Sequence, residues 1–329
     1  NYFSIISIYI CSICNIIAAN NNIKEIIRKS EDCLYTSPRQ TVFLTSKGLT
    51  ETTDKNDIFM LLIIKAKAER LLGNFDESLN SLYKIDMESF NNETRIKGEI
   101  YNLMALSYCN LSDYQKAIEL NDKAISIFKV NNDSLMLASA YNNKGIIHNH
   151  MSEDTQSEKF LLEALRINRA LKNIKGISAN LNNLCLYHGN LSKQKEYIQE
   201  AIIINKNLDA KWALAENYNN LGRLYIYEKD YESANSALKK AYTIANEIGA
   251  KGIVCDNYEY LSRLNAQSGN YKKAFEYQTK LNSLKQELQS ENNLRKIELN
   301  MAEEKLNEVI RENEIKKQEY EIQRLERNI

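Results

Sequence analysis

The chain of 329 residues is long enough for two ordinary globular domains or for one elongated array of repeats. With 1 Pro and 10 Gly it lacks the punctuation of a β-rich or loop-rich protein. Its 43 basic and 43 acidic side chains balance, which argues against a nucleic-acid-binding surface in this part of the chain.

Asn1–Asn22 carries no charged side chain, and Tyr2–Ala19 is an apolar run ending in small residues. The stretch reads as a secretory signal with cleavage after Ala18 or Ala19. An uncleaved anchor and a buried first helix are the other readings that its length allows. Cys11 and Cys14 lie inside the run, and no small residue directly precedes either, which speaks against lipid attachment.

Helical hairpins follow. The spacing predicts a helix over Ile23–Leu34 and a partner from Arg39 to about Glu51, entered through Pro38, where a missing N–H costs nothing. Phe59–Phe90 sets Ala66, Gly73, Phe75, Ser78 and Leu82 at recurring offsets. Gly98–Val130 repeats the arrangement with Tyr101, Ala105, Tyr108, Tyr114, Ala117 and Ala124. Ala138–Asn173 carries Tyr141, Gly145, His148 and Ala164, while Ser178–Asp209 carries Leu184, Cys185, His188 and Ala201 and is short between its helices.

The clearest unit is Ala215–Ala250. Tyr218, Leu221, Gly222 and Tyr225 share one helical face, and Tyr231, Ala234, Leu238 and Ala241 share another, with a polar turn at Glu228–Asp230. Gly222 and Ala234 permit a close approach of the two helices. One hairpin cannot bury its own apolar face, so the unit predicts neighbours. The last of them, Cys255–Leu284, supplies Leu261, Ser262, Gly269, Tyr271 and Ala274. Lys285–Ile329 has no Gly or Pro and alternates acidic with basic residues, so i,i+3 and i,i+4 pairs support a solvated helix. Its apolar positions are partly heptad-spaced (Ile315, Ile322 and Ile329 in one register, Leu299 and Leu306 in another), which leaves open a single projecting helix and a parallel coiled-coil dimer stalk.

The aromatic–small–small–aromatic placement in Ala215–Ala250 resembles the tetratricopeptide repeat at nearly every offset, lacking only the closing Pro, where Asn246 stands. The resemblance spans about residues 22–284. It implies an all-α fold, a right-handed superhelical solenoid of about seven helix-turn-helix repeats followed by a long charged C-terminal helix. The expected division is a signal peptide or anchor at 1–19, the solenoid at 20–284 and the charged helix at 285–329. This order is similar to the extracytoplasmic portion of bacterial membrane-bound regulators. It implies a periplasmic location and a transmembrane segment and output domain, a histidine kinase or a helix-turn-helix domain, beyond Ile329. A cytoplasmic scaffold is the alternative.

Asparagine recurs on the first helix of successive units. Asn102, Asn142, Asn182 and Asn219 share one offset, and Asn143, Asn183 and Asn220 the next. In the family these offsets approach the concave groove. A carboxamide offers donor and acceptor together, so a ladder of them suits the backbone of an extended peptide of any sequence. Bonding across repeats is the competing role. Tyr227, Tyr260, Arg223 and Arg263 are expected near the same groove, the arginines suited to a carboxylate. The expected partner is thus a peptide or protein, with a homodimer through the C-terminal helix as a further expectation.

His148 and His188 occupy one offset in adjacent units and either share a metal or replace packing aromatics; no third ligand is evident. Cys33, Cys109, Cys185 and Cys255 fall one to a unit, which outlines no disulfide framework. No Gly-rich phosphate loop, HExxH or GxSxG occurs, so neither cofactor nor catalysis is expected.

Overall fold

The computed structural model describes residues 22–35, 37–90, 94–186 and 190–290. The expected leader, His188 and the charged segment beyond residue 290 lie outside them. Among the described residues there are helices and no strands. They are α1 (22–33), α2 (Pro38–Glu51), α3 (Lys55–Leu71), α4 (Phe75–Tyr83), α5 (Arg95–Asn110), α6 (Tyr114–Val130) and α7 (Ser134–His150). Then come α8 (Asp154–Ala170), α9 (Ile174–Leu184), α10 (Leu191–Asn207), α11 (Lys211–Tyr227), α12 (Tyr231–Glu247), α13 (Lys251–Gln267) and α14 (271–290). Pro38 opens α2 as expected. α14 runs on through residues 285–290 with no break at the expected boundary after Leu284.

One short device joins most of the helices. After α11, Lys229 takes a left-handed φ of 61°, its N–H reaches Ile226 C=O at 3.1 Å, and the Asp230 N–H reaches back to Tyr225 C=O at 3.0 Å. This pair of hydrogen bonds satisfies carbonyls that a helix end leaves open. Ser112, Asn132, Ser152 and Lys172 take the same conformation after α5, α6, α7 and α8, as Gly249 does after α12 and Gly269 after α13. The next residue then starts the following helix. Asp113, Asp133, Asn173 and Asp230 each accept a hydrogen bond from a backbone N–H in the new first turn. With so few residues between them, α5–α6, α6–α7, α7–α8, α8–α9, α11–α12 and α12–α13 lie antiparallel and in contact.

The described chain groups into two compact units, Asn1–Ile204 and Asn205–Ile329, where the sequence suggested one array; the division falls within α10. In the first unit α3 touches α5, α5 touches α7 and α7 touches α9, and in the second α11 touches α13. The odd-numbered helices therefore form an inner layer in each unit, and the even-numbered helices cover them.

Helix crossings depend on small residues. A Cβ on Gly222 would stand 2.6 Å from Leu238 Cγ, and one on Gly145 would stand 2.6 Å from Leu161 Cγ. Facing them, Ala234 and Ser157 are fully buried. The fourth of six positions in this series is different. Ser78, Ala117, Ser157, Ala234 and Ala274 recur along the even helices, but α10 places Gln194 there. Its carboxamide is buried and neither polar atom has a hydrogen-bond partner among the described residues. The partner helix α9 ends at Leu184 after 11 residues, whereas α7 and α11 run for 17.

Candidate functional site

In the first unit the asparagines are tied to one another. Asn102 Oδ1 accepts from Asn121 Nδ2 at 3.1 Å and from Asn143 Nδ2 at 2.8 Å, and Asn121 Nδ2 also reaches Ala140 C=O. Asn102 Nδ2 donates to Ser139 Oγ at 3.4 Å. Asn102 and Asn143 are buried. Their recurrence therefore serves first to fasten α5, α6 and α7 together, since a buried carboxamide left without partners is costly.

One repeat later the pattern changes. Asn142 Oδ1 accepts from Asn180 Nδ2 and from Asn183 Nδ2, both at 2.8 Å. Asn180 in turn accepts from Asn168, Asn168 from Asn173, and Asn173 from the Gly176 N–H at the start of α9. Five side chains on α7, α8 and α9 and the turn before α9 thus fix one another. Asn142, Asn182 and Asn183 are half-buried. Asn142 Nδ2 and Asn183 Oδ1 form no hydrogen bond among the described residues, so a donor and an acceptor stand side by side with their orientation set from behind.

In the second unit Asn219 repeats the fastening role. Its Nδ2 donates to Ile253 C=O at 3.0 Å and its Oδ1 accepts from Asn257 at 2.8 Å, while Asn257 also reaches Leu238 C=O. Asn219, Asn220 and Arg223 are buried. The Arg223 guanidinium lies 5.6 Å from the Tyr227 ring centre. Burial pushes the Tyr260 phenol up, against the pull of the nearby Arg223 and Arg263 charges. These groups share the seam between α11 and α13.

Acidic groups on the same seam were missed in the sequence. Trp212 Nε1 donates to Glu216 Oε1 at 3.1 Å. Burial raises the Glu216 carboxyl, the Trp212 bond opposes this, and the Asp256 charge adds to it. Asp256 is also raised, by burial first and then by Glu259, with Lys285 opposing. Register was the available signal: Glu216 and Asp256 stand one repeat apart, as do Arg223 and Arg263. The linked pairs Asn168–Asn180 and Asn205–Asn217 were legible in the same way, both members shifting by one step of the array.

His148 behaves as a packing aromatic. Its ring stacks on Phe160 at 5.3 Å and Nδ1 lies 2.6 Å from Glu153 Oε2. No group of three or more His, Cys, Asp or Glu side chains is placed to hold a metal among the described residues. The thiols of Cys109, Cys185 and Cys255 are buried, and burial pushes Cys109 up to about 11. No described helix is long and apolar enough to cross a membrane.

Tetratricopeptide repeat family models match residues 97–170 and residues 215–248. No curated protein matches the chain. Among solved structures it is similar to a signal-transduction ATPase with numerous domains (STAND) and a tetratricopeptide repeat sensor from Pyrococcus horikoshii. That match has TM-score 0.61 and 22% identity, over 80% of this chain and 40% of the other. A Rap protein complexed with Competence and Sporulation Factor gives TM-score 0.63 and 14% identity, over 82% and 78% of the two chains. The Rap conjugation gene regulator of plasmid pLS20, in complex with the Phr* peptide, gives 0.56 and 14%, over 82% and 96%. The chain thus carries tetratricopeptide repeats within an all-α repeat fold, and it spans 40% of the length of the archaeal ATPase.

Proposed function

We propose that the chain binds an extended peptide or protein segment on the inner faces of its odd-numbered helices and performs no chemistry of its own. The observation that carries this is the Asn142–Asn183 pair. A peptide backbone presents C=O and N–H groups in alternation, and the pair offers the matching donor and acceptor already oriented by hydrogen bonds behind it. The inner layer of stacked helices supplies a surface that depends on no particular side chain of the ligand. Two of the similar structures are, by their own descriptions, Rap proteins complexed with a factor or a peptide, which supports the reading.

The test uses Asn142→Asp. This variant keeps the Oδ1 acceptor that Asn180 and Asn183 need and replaces only the outward donor. A random pentapeptide pool is captured on the full chain and quantified by mass spectrometry. We expect about a tenfold loss of total capture, the order of one charge-assisted mismatch. Equal capture would refute the reading.

The finer reading is a sensory portion of a bacterial membrane-bound regulator, exported by Tyr2–Ala19, with the segment after residue 284 as its link to the membrane. Ligand binding would alter small rotations between repeats, which accumulate along a solenoid because each repeat contacts only its neighbours. Sequencing the mature N-terminus in the native host tests export: a start near Asn20 supports it, and a retained Tyr2–Ala19 removes it.

A further inference from the structure

The seam between α11 and α13 carries opposite charges at its two ends. Glu216 and Asp256 occupy equivalent positions toward the helix starts, and Arg223 and Arg263 occupy equivalent positions seven residues on. Seven residues of helix rise about 10 Å. Midway between the two pairs sit Asn220 and its counterpart Tyr260. The Asp256 charge reaches Glu216, and the two arginine charges both reach Tyr260. Neither Glu216 nor Asp256 forms an ion pair among the described residues.

An extended peptide crossing the inner helices at the level of Asn220 would send successive side chains to opposite sides, because a strand alternates with period two. One side chain would point toward the carboxylates and its neighbour toward the guanidiniums. We propose that the second unit selects peptides in which a basic and an acidic side chain are adjacent. The basic group lies between Glu216 and Asp256 beside the Trp212 ring, and the acidic group lies on Arg223 and Arg263. This selection rests on the peptide-binding reading and names the class of peptide.

A cation between the two carboxylates offsets the repulsion that the Asp256 charge exerts on the half-buried Glu216. An Arg–carboxylate contact at the other end adds the directional, forked geometry that ammonium groups lack. The two ends together exclude peptides that present like charges to either one.

Trp212 is the only tryptophan in the chain, and its indole bonds directly to Glu216, so its fluorescence reports on the acidic end. The full chain is titrated with acetyl-Gly-Gly-Arg-Glu-Gly-Gly-amide, with the analogue carrying citrulline for Arg, and with the analogue carrying Gln for Glu. The first peptide is expected to give a saturable response, and each analogue to bind about tenfold more weakly. Glu216→Gln, which keeps an acceptor for Trp212, should erase the preference for Arg over citrulline. The exposed Arg263→Gln should erase the preference for Glu over Gln. Equal binding of all three peptides overturns the charge selection and leaves peptide binding intact. No response from any of them also overturns it, and the Asn142→Asp capture experiment then decides the peptide reading by itself.

Discussion

The close crossing of α11 and α12 can be tested with two glycines that differ only in what surrounds them. Gly222 sits inside α11, where an added Cβ would lie 2.6 Å from both Cγ and Cδ2 of Leu238, a fully buried side chain. Ordinary carbon contacts are about 3.5–4.0 Å, so the overlap is about 1 Å against a group with no free space to enter. Gly252 sits in the first turn of α13 and would place its Cβ in open space. Both changes to alanine gain helix propensity, roughly 0.5–1 kcal/mol. Only Gly222→Ala also overpacks a core, at about 1–3 kcal/mol. Gly252→Ala should therefore raise the urea midpoint and Gly222→Ala should lower it, with about 1–3 kcal/mol between them. Far-UV circular dichroism follows the unfolding, and hydrogen exchange across α11 and α12 locates the effect. A repeat array can lose its cooperativity, and the local measurement guards against that. If Gly222→Ala is as stable as Gly252→Ala, the crossing is not limited by this contact.

Gln194→Ala should stabilise the protein by about 1 kcal/mol, because it removes a buried carboxamide with no partner and restores the small residue found at this position in neighbouring helices; a lowered urea midpoint would show that the carboxamide has a structural role. Asn180→Ala should cost about 2–3 kcal/mol, since the side chain is buried between Asn168 and Asn142 and both its bonds are lost. The same variant should also weaken peptide capture, and unchanged stability would mean that the asparagine relay is not cooperative. The raised carboxyls of Glu216 and Asp256 make the native state hold more protons than the unfolded chain, from the ordinary carboxylate range up to their raised values. Their contribution to stability accordingly falls as pH rises through that window. Glu216→Gln should be more stable than the parent near neutral pH, with the advantage fading at acid pH; a pH-independent difference between the two urea midpoints would contradict this.

The repeats were legible because solenoid packing imposes residue types at a fixed step. Gly145, Gly222, Ala117 and Ala234 are needed wherever two helices cross, and that need depends on neither ligand nor unit. The turns were less legible. Ser112, Ser152, Lys172 and Lys229 adopt left-handed backbone conformations that favour glycine, and the pair of backbone hydrogen bonds at each one compensates, joined after Ser112, Lys172 and Lys229 by a side-chain cap. A count of glycines alone would have missed them. The irregular fifth hairpin was visible only as a shortened interval. The same hairpin carries Gln194, a long polar side chain at a crossing where its neighbours have small residues.

The candidate site divides along a similar line. Sequence offsets placed Asn102, Asn142, Asn182 and Asn219 together, but they could not say which carboxamides are closed in by neighbours and which keep an unengaged donor. Burial and bonding separate them. Asn102 and Asn219 are buried, with both ends of their side chains engaged by neighbouring helices, whereas Asn142 is held at its oxygen alone. The same residue type at the same offset thus serves packing in two repeats and presents a donor in another. What changes between them is the neighbour: Asn121 and Asn143 close over Asn102, while Asn180 and Asn183 approach Asn142 from one side. The difference is carried by those neighbours and is legible in sequence only there: Asn121 is replaced by Leu161 one repeat on, and Asn180 stands where the preceding repeat has Ala140, so an unengaged donor is left by changing what surrounds one member of a structural series.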